Sequence, residues 1–106
     1  MDAFAVADTS EAEWTEAAPG VEIKPIGMVD GRLFNMSRFA PGFSAPEHTH
    51  LDSEFGYVLE GSVQSQGQLL TAGCGYAAPK DTTHSEFVVG DEGCTMLFVL
   101  TLPAAD

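Results

Sequence analysis

The 106-residue chain carries 16 acidic residues against four basic ones, which gives a formal net charge of −12 at pH 7. A surface of that sign repels phosphate backbones and anionic lipid headgroups, so nucleic acids and membranes are excluded as expected partners. The content of 44% hydrophobic and 9% aromatic residues is that of a globular chain. The length predicts one domain that buries a single core.

Residues 1–19 are predicted to form an N-terminal arm that contains one short helical turn. Ser10 and Glu13 have the spacing of a capping box, and the stretch EAEWTEAA around Glu13 is rich in helix formers. The dipeptide Pro19-Gly20 would end this turn. Trp14 is expected to anchor the arm by packing.

The cellular location is predicted from the opening residues, MDAFAVADTSE. They lack the positive charge and the long apolar segment of a secretory signal peptide, so we expect a cytoplasmic protein. The longest apolar stretch, residues 96–102, includes Thr101 and is far too short to span a bilayer. Because the cytosol is reducing, Cys74 and Cys94 are expected to remain thiols.

From residue 20 to residue 106 the pattern changes to short strands separated by turn residues, which is typical of an all-β sandwich or barrel. Asp30-Gly31 is a hairpin signal that places residues 28–29 and 32–39 on neighbouring strands. The other predicted strands cover residues 21–26, 45–50, 54–60, 62–66, 68–71, 76–78, 83–89 and 94–102. The side chains expected to fill the interior are Phe39, Phe43, Phe55, Phe87, Phe98, Met36 and Met96.

The chain's three histidines lie in two short segments. His48, His50 and Glu54 fall within seven residues, and side chains at i and i+2 of a strand emerge on the same face. His48 and His50 therefore point together, and Glu54 can join them after a short bend. The third histidine, His84, lies in the second segment. Three imidazoles and one carboxylate suit first-row divalent metal ions.

Both segments match sequence motifs of the cupin superfamily. The first, GFSAPEHTHLDSEFGYVLEG, follows the spacing G(x)5HxH(x)3–4E(x)6G at every defined position. The second, GCGYAAPKDTTHSEFV, follows G(x)5PxG(x)2H(x)3N with two departures, since Asp81 replaces the glycine and Val88 replaces the asparagine. Aspartate tolerates turn geometry. Valine removes a polar group but leaves the four presumed ligands intact.

Four further segments, PGVEIKPI, APG, VLEGS and EGCTMLFV, resemble the metal-binding cupin domain of ChrR-type anti-sigma factors, over roughly residues 14–102. Small stand-alone cupin proteins also resemble this domain, and some of them are dioxygenases that cleave β-diketones or hydroxyacetophenones. The helical sigma-binding domain that precedes the cupin in anti-sigma factors is not found in this sequence. Control of a sigma factor is therefore not carried over.

The resemblance implies a fold class and a ligand set. The fold would be all-β, a cupin barrel (a double-stranded β-helix, jelly-roll-like) over residues 20–106, assembled as a homodimer. One divalent transition metal would be held by His48, His50, Glu54 and His84. Fe, Mn, Ni, Co, Cu and Zn are the candidate metals, with Fe or Zn preferred.

The leading functional hypothesis is a metal-dependent oxidoreductase, a dioxygenase-like enzyme that acts on a small oxygenated or aromatic carbonyl compound. One alternative is a non-catalytic module that senses a metal or small molecule, like the anti-sigma cupin. A structural metal that only stabilises the fold is another. Glu86 shares the strand parity of His84 and is a candidate catalytic base, with an ordinary rim carboxylate as the alternative. Tyr57 and Tyr76 are candidate donors to substrate, with packing as the alternative.

Overall fold

The computed structural model of this chain describes residues 4–46, 48–49, 52–84 and 86–101. Within these ranges there are ten strands and no helix, so the all-β prediction is confirmed. None of the described segments could cross a membrane as a long apolar helix. The strands are β1 Thr15–Ala18, β2 Val21–Val29, β3 Arg32–Phe39, β4 Ser44–Ala45, β5 His48–Thr49, β6 Glu54–Ser65, β7 Gln68–Thr71, β8 Gly75–Ala78, β9 Thr83–His84 and β10 Phe87–Thr101.

Eight of these strands form one antiparallel sheet, in the order β1-β2-β3-β10-β6-β7. Strand β4 pairs with β10 and strand β8 pairs with β6, while β5 and β9 form a separate two-stranded sheet. The long strand β10 is central, because it pairs with β3, β4 and β6. The hairpin predicted at Asp30-Gly31 is confirmed: both residues have a positive φ, and they join β2 to β3.

The helical turn predicted for the N-terminal arm is wrong. Asp8 organises an isolated turn instead: its side chain accepts hydrogen bonds from the amide and hydroxyl of Ser10, at 3.0 and 2.6 Å. Its carbonyl oxygen accepts from the amides of Glu11 and Ala12. The chain then enters β1, which pairs with β2. A helix this short is marginal on its own, whereas the edge of β2 offers backbone partners.

Trp14 holds the arm against the sheet, as predicted. Its ring centroid lies 4.6 Å from Nζ of Lys24 on β2 and 4.3 Å from Cζ of Arg38 on β3. Lys24 also donates a hydrogen bond to the carbonyl oxygen of Thr9, at 2.7 Å. The arm is therefore held on the outer side of the sheet by cation–π contacts and by a hydrogen bond from a lysine side chain to a backbone carbonyl.

The strand breaks predicted near residues 61 and 90–93 are bulges within two long strands. Strand β6 continues through Gly61, and β10 continues through Gly93, with a register shift between Val89 and Cys94. Gly61 has a φ of +79°, and a Cβ at this position would lie 2.0 Å from the carbonyl oxygen of Gly93. The glycine is needed because the backbone of β10 passes close to it, and it does not end β6. A glycine that ends a strand and a glycine that allows a close approach look the same in the sequence.

The core lies on the inner side of the curled sheet. Met96, Val58 and Val63 are completely buried, and the ring of Phe39 packs against three other phenylalanine rings at centroid distances of 5.1 to 6.0 Å. Cys94 belongs to this core, and burial raises the pKa of its thiol to about 11. Both cysteines are free thiols, as predicted.

Two residues expected in the interior, Phe55 and Met36, lie on the outer side. Their parity is opposite to that of buried Phe98, because successive residues of a strand alternate between faces. The register forms two rows across β3, β10 and β6: Phe34, Val99 and Phe55, then Met36, Leu97 and Tyr57. These six residues are called the outer patch below. Three of its members are large and substantially exposed: Phe34 at 40%, Phe55 at 44% and Tyr57 at 45%.

Candidate metal centre

Two of the chain's histidines occupy directly opposed backbone positions. Strand β5 pairs with β9 so that His48 is the cross-strand partner of His84. This pair continues the register of β6 and β8, in which Glu54 is the partner of Ala78. Six residues back from Glu54 and six residues forward from Ala78 lead to His48 and His84. One register therefore brings the two sequence motifs together.

Glu54 begins β6 and is 5% exposed. Burial of a carboxylate is costly unless hydrogen-bond donors or a cation compensate it. The hydroxyl of Tyr76 on β8 donates a hydrogen bond to Oε2 of Glu54. Burial first, and then the charge and hydrogen bond of Glu54, raise the pKa of Tyr76 above its ordinary value. The phenol therefore stays protonated at neutral pH and acts as a donor.

Glu54 and Tyr76 line a cavity of about 300 Å³ on the inner side of the sheet. Its walls are mostly apolar and include four phenylalanine rings, those of Phe39, Phe43, Phe87 and Phe98. Ser37 adds a further hydroxyl to the lining. The volume lies at the lower end of small-molecule sites, and electrostatic interactions are stronger in such apolar surroundings than in water.

A buried polar pair beside this cavity was missed by sequence reasoning. On β3, the hydroxyl of Ser37 donates a hydrogen bond to Oδ1 of Asn35 at 2.9 Å, and each residue is 4% exposed. The signal in the sequence is the strand RLFNMSRF, in which the two polar residues share one parity. Alternation alone did not reveal that this parity faces inward, because the opposite parity carries Phe34 and Met36.

The two other predicted site residues lie elsewhere. Tyr57 belongs to the outer patch. The carboxylate of Glu86 accepts a hydrogen bond from the amide of Gly67 at 2.9 Å, and its carbonyl oxygen accepts one from the hydroxyl of Ser65 at 2.9 Å. Neither Tyr57 nor Glu86 lines the cavity that Glu54 lines. Their predicted catalytic roles stay predictions.

The predicted ligand set is described in part. His50 lies outside the described residues, and the register of His48 and His84 is a backbone observation. Among the side chains that the structure describes, no three from His, Cys, Asp or Glu form a group that could hold an ion. The donor types nevertheless fit a divalent transition metal, and a cation beside Glu54 would offset the cost of burying its carboxylate.

An eight-stranded antiparallel sheet with a small second sheet, and a buried glutamate in the wall of an apolar cavity, form the architecture of a cupin. A sequence model of the ChrR Cupin-like domain matches residues 2–104, so the chain belongs to this family. No curated protein sequence matches the chain.

Three solved structures illustrate the likeness. An RmlC-like cupin from Shewanella frigidimarina NCIMB 400 has a TM-score of 0.79 at 22% identity, over 99% of this chain and 96% of that chain. The anti-sigma factor ChrR of Rhodobacter sphaeroides, in complex with SigE, has a TM-score of 0.74 at 19% identity, over 88% of this chain and 50% of that chain. A protein proposed to be an acetylacetone dioxygenase, from Methylibium petroleiphilum PM1, has a TM-score of 0.79 at 13% identity, over 92% of this chain and 76% of that chain. Such identities establish the fold alone, and the chain spans half of the ChrR chain.

Proposed function

We propose that this chain is a metal-dependent cupin enzyme, dioxygenase-like, that acts on a small oxygenated or aromatic carbonyl compound. The observation that carries the proposal is the buried Glu54 carboxylate in the wall of an apolar cavity, in register with His48 and His84. The fold is shared with a protein proposed to be an acetylacetone dioxygenase, so β-diketones are among the first substrates to test.

The proposed ligands are His48, His50, Glu54 and His84, which hold one divalent ion, with iron or zinc preferred. Such an ion supplies Lewis-acid polarisation of a carbonyl oxygen and, as iron, the activation of dioxygen. Side chains at directly opposed positions of an antiparallel pair are close enough to serve one ligand, so the register of His48 and His84 supports this set.

The cavity residues would bind and orient the substrate. The phenylalanine rings exclude water and bind the apolar part of a small molecule. The Ser37 hydroxyl lies in the same wall and gives its proton to Asn35, so it can accept a hydrogen bond from a substrate hydroxyl. The Tyr76 hydroxyl keeps its proton and holds Glu54. A volume of about 300 Å³ limits the substrate to a small compound.

A second candidate function is a non-catalytic module that senses a metal or a small molecule. The match to the ChrR Cupin-like domain favours this candidate. The same cavity and the same donors would then bind a ligand without turnover. The two candidates differ in one respect that can be measured, which is whether a bound compound is consumed.

Metal analysis and oxygen uptake together test these candidates. We expect protein purified without chelators to contain a divalent metal, and the Fe(II)-loaded protein to consume oxygen with some member of a panel of β-diketones and hydroxyketones. Zn(II)-loaded protein and the Glu54→Gln variant are the controls and should consume none. Tight binding of a panel compound without oxygen uptake would favour the sensing module. A preparation that takes up no divalent metal would contradict both the enzyme and a metal sensor.

We further propose that the homodimer predicted from the sequence forms through the outer patch. A second copy is the occupant favoured by charge. With a net charge of −12 per chain, two copies repel each other least where basic residues lie. Three of the chain's four basic residues flank this patch: Lys24 is the partner of Met36, Arg38 of Thr95 and Arg32 of Thr101. Arg38 and Arg32 pair with the carboxylates of Glu22 and Asp52, so the border of the patch carries compensated charge instead of the chain's excess of acid.

Phe55→Glu should convert the dimer to a monomer, because it places a charge within the outer patch, directly beside Val99 on the neighbouring strand. Leu69→Glu is the matched control: Leu69 is also an exposed apolar residue, but it lies on β7, outside the patch. Sedimentation velocity at micromolar concentration measures the result. A monomeric unaltered protein, or equal dissociation by both variants, would contradict this interface.

A further inference from the structure

Tyr76 lies against Gly56, its cross-strand partner. A Cβ at Gly56 would lie 2.4 Å from Cε2 of Tyr76, 2.7 Å from Cζ and 3.0 Å from the hydroxyl oxygen. Atoms in folded proteins do not pack this closely, so a larger residue would displace the ring. The φ of Gly56 is not positive, so the backbone conformation does not require glycine here. Glycine is required because the Tyr76 ring occupies the space of a side chain.

The packing of the Tyr76 ring against Gly56 sets the position of the Tyr76 hydroxyl. From there the hydroxyl donates its hydrogen bond to Oε2 of Glu54, two residues before Gly56 on β6. Residues two apart on a strand share a face, and a tyrosine can reach the diagonal neighbour of its cross-strand partner. The glycine, the ring and the carboxylate therefore form one geometric unit in the wall of the cavity.

We propose that Gly56 and Tyr76 are positioning residues that hold the Glu54 carboxylate in the orientation in which it binds a divalent metal ion. The inference rests on the proposed metal site and adds two residues that the motif spacing leaves undefined. A free glutamate side chain loses rotamer entropy when it binds an ion, and a hydrogen bond that fixes it beforehand reduces that loss. Carboxylates that bind metals are commonly fixed in this way.

The first test removes the hydroxyl and keeps the ring. Tyr76→Phe should weaken binding of Co(II) to the metal-stripped protein by about 10- to 100-fold, as loss of a ligand's hydrogen-bond partner does elsewhere. Tyr57→Phe makes the same chemical change at the chain's other tyrosine, which belongs to the outer patch, and should leave the affinity unchanged. Isothermal titration calorimetry measures both.

The second test keeps the hydroxyl and moves the ring. Gly56→Ala should weaken Co(II) binding to a similar extent, because the new methyl group displaces Tyr76 from Glu54. In the double variant with Tyr76→Phe the two losses should not add, since both act through one hydrogen bond. The visible absorption spectrum of the Co(II)-loaded variants should also change, because the orientation of the carboxylate affects the field at the ion. A purely structural role would lower thermal stability and leave this spectrum unchanged.

The outcomes separate this inference from the function on which it rests. Unchanged affinity and an unchanged Co(II) spectrum in both Tyr76→Phe and Gly56→Ala would overturn the positioning role while leaving the metal site intact. Failure of the unaltered protein to bind Co(II) or any other divalent metal would contradict the proposed function instead. Circular dichroism of each variant establishes that its fold is retained.

Discussion

Replacement of His84 by alanine should remove most of the divalent metal that purifies with the chain. His84 is the cross-strand partner of His48, so this substitution deletes one half of the proposed histidine pair. Loss of a residue that merely supports a ligand costs about 10- to 100-fold in affinity, so loss of the ligand itself should cost at least about 100-fold. Metal analysis by plasma mass spectrometry measures the change, and His50→Ala should behave in the same way.

Glu86→Gln is the matched control for this experiment. Glu86 lies two residues beyond His84, but its carboxylate accepts a hydrogen bond from the Gly67 amide and does not line the cavity. This variant should keep its full metal content. Retention of metal by His84→Ala would contradict the ligand assignment. Equal loss from both variants would show that folding of the second motif, and not ligation, sets the metal content.

Gly61→Ala should destabilise the fold by about 3 to 5 kcal/mol, which combines the cost of a strained φ with that of an overpacked contact. The φ of Gly61 is +79°, and the added Cβ would lie 2.0 Å from the carbonyl oxygen of Gly93 and 2.9 Å from Cα of Cys94. All of these neighbours are backbone atoms, so β6 and β10 would have to separate. This loss is a substantial share of the stability of a domain, which is typically about 5 to 15 kcal/mol.

Gly67→Ala separates the two contributions. Gly67 also has a positive φ, +71°, but a Cβ there would meet nothing within 4 Å. It should cost only about 1 kcal/mol, the backbone contribution alone. Urea denaturation of both variants gives the difference in the free energy of unfolding. Equal destabilisation would mean that the close approach of β10 to Gly61 does not control stability.

Much of the fold could be predicted because turn residues and alternation act locally. Asp30-Gly31 sets a hairpin through its own φ values, and this prediction is confirmed. The errors come from pairing between distant segments. Residues 15–18 belong to a stretch rich in helix formers, yet they become β1 because β2 offers an edge. Gly61 resembles a strand break because the backbone that approaches it, at Gly93 and Cys94, is distant in sequence. The side on which Phe55 lies likewise depends on pairing with β10.

The candidate site shows the same limit. The spacing of His48, Glu54 and His84 is written in the chain, and the register of β5 with β9 places His48 opposite His84. The role of Tyr76 cannot be predicted from the sequence, because it depends on the cross-strand pairing of Tyr76 with Gly56 and on the absence of a Cβ at Gly56. A pattern can name metal-binding side chains, whereas the residues that orient them become visible only once the strands are paired.

The position of Trp14 has a practical consequence for experiments in solution. It is the chain's single tryptophan, and its ring rests on Lys24 and Arg38 at the outer side of the sheet, whereas the cavity opens on the inner side. Its fluorescence is thus a built-in optical probe of the leading segment. Emission that changes while far-ultraviolet dichroism stays constant would report release of that segment from an otherwise intact sheet, independently of events around Glu54.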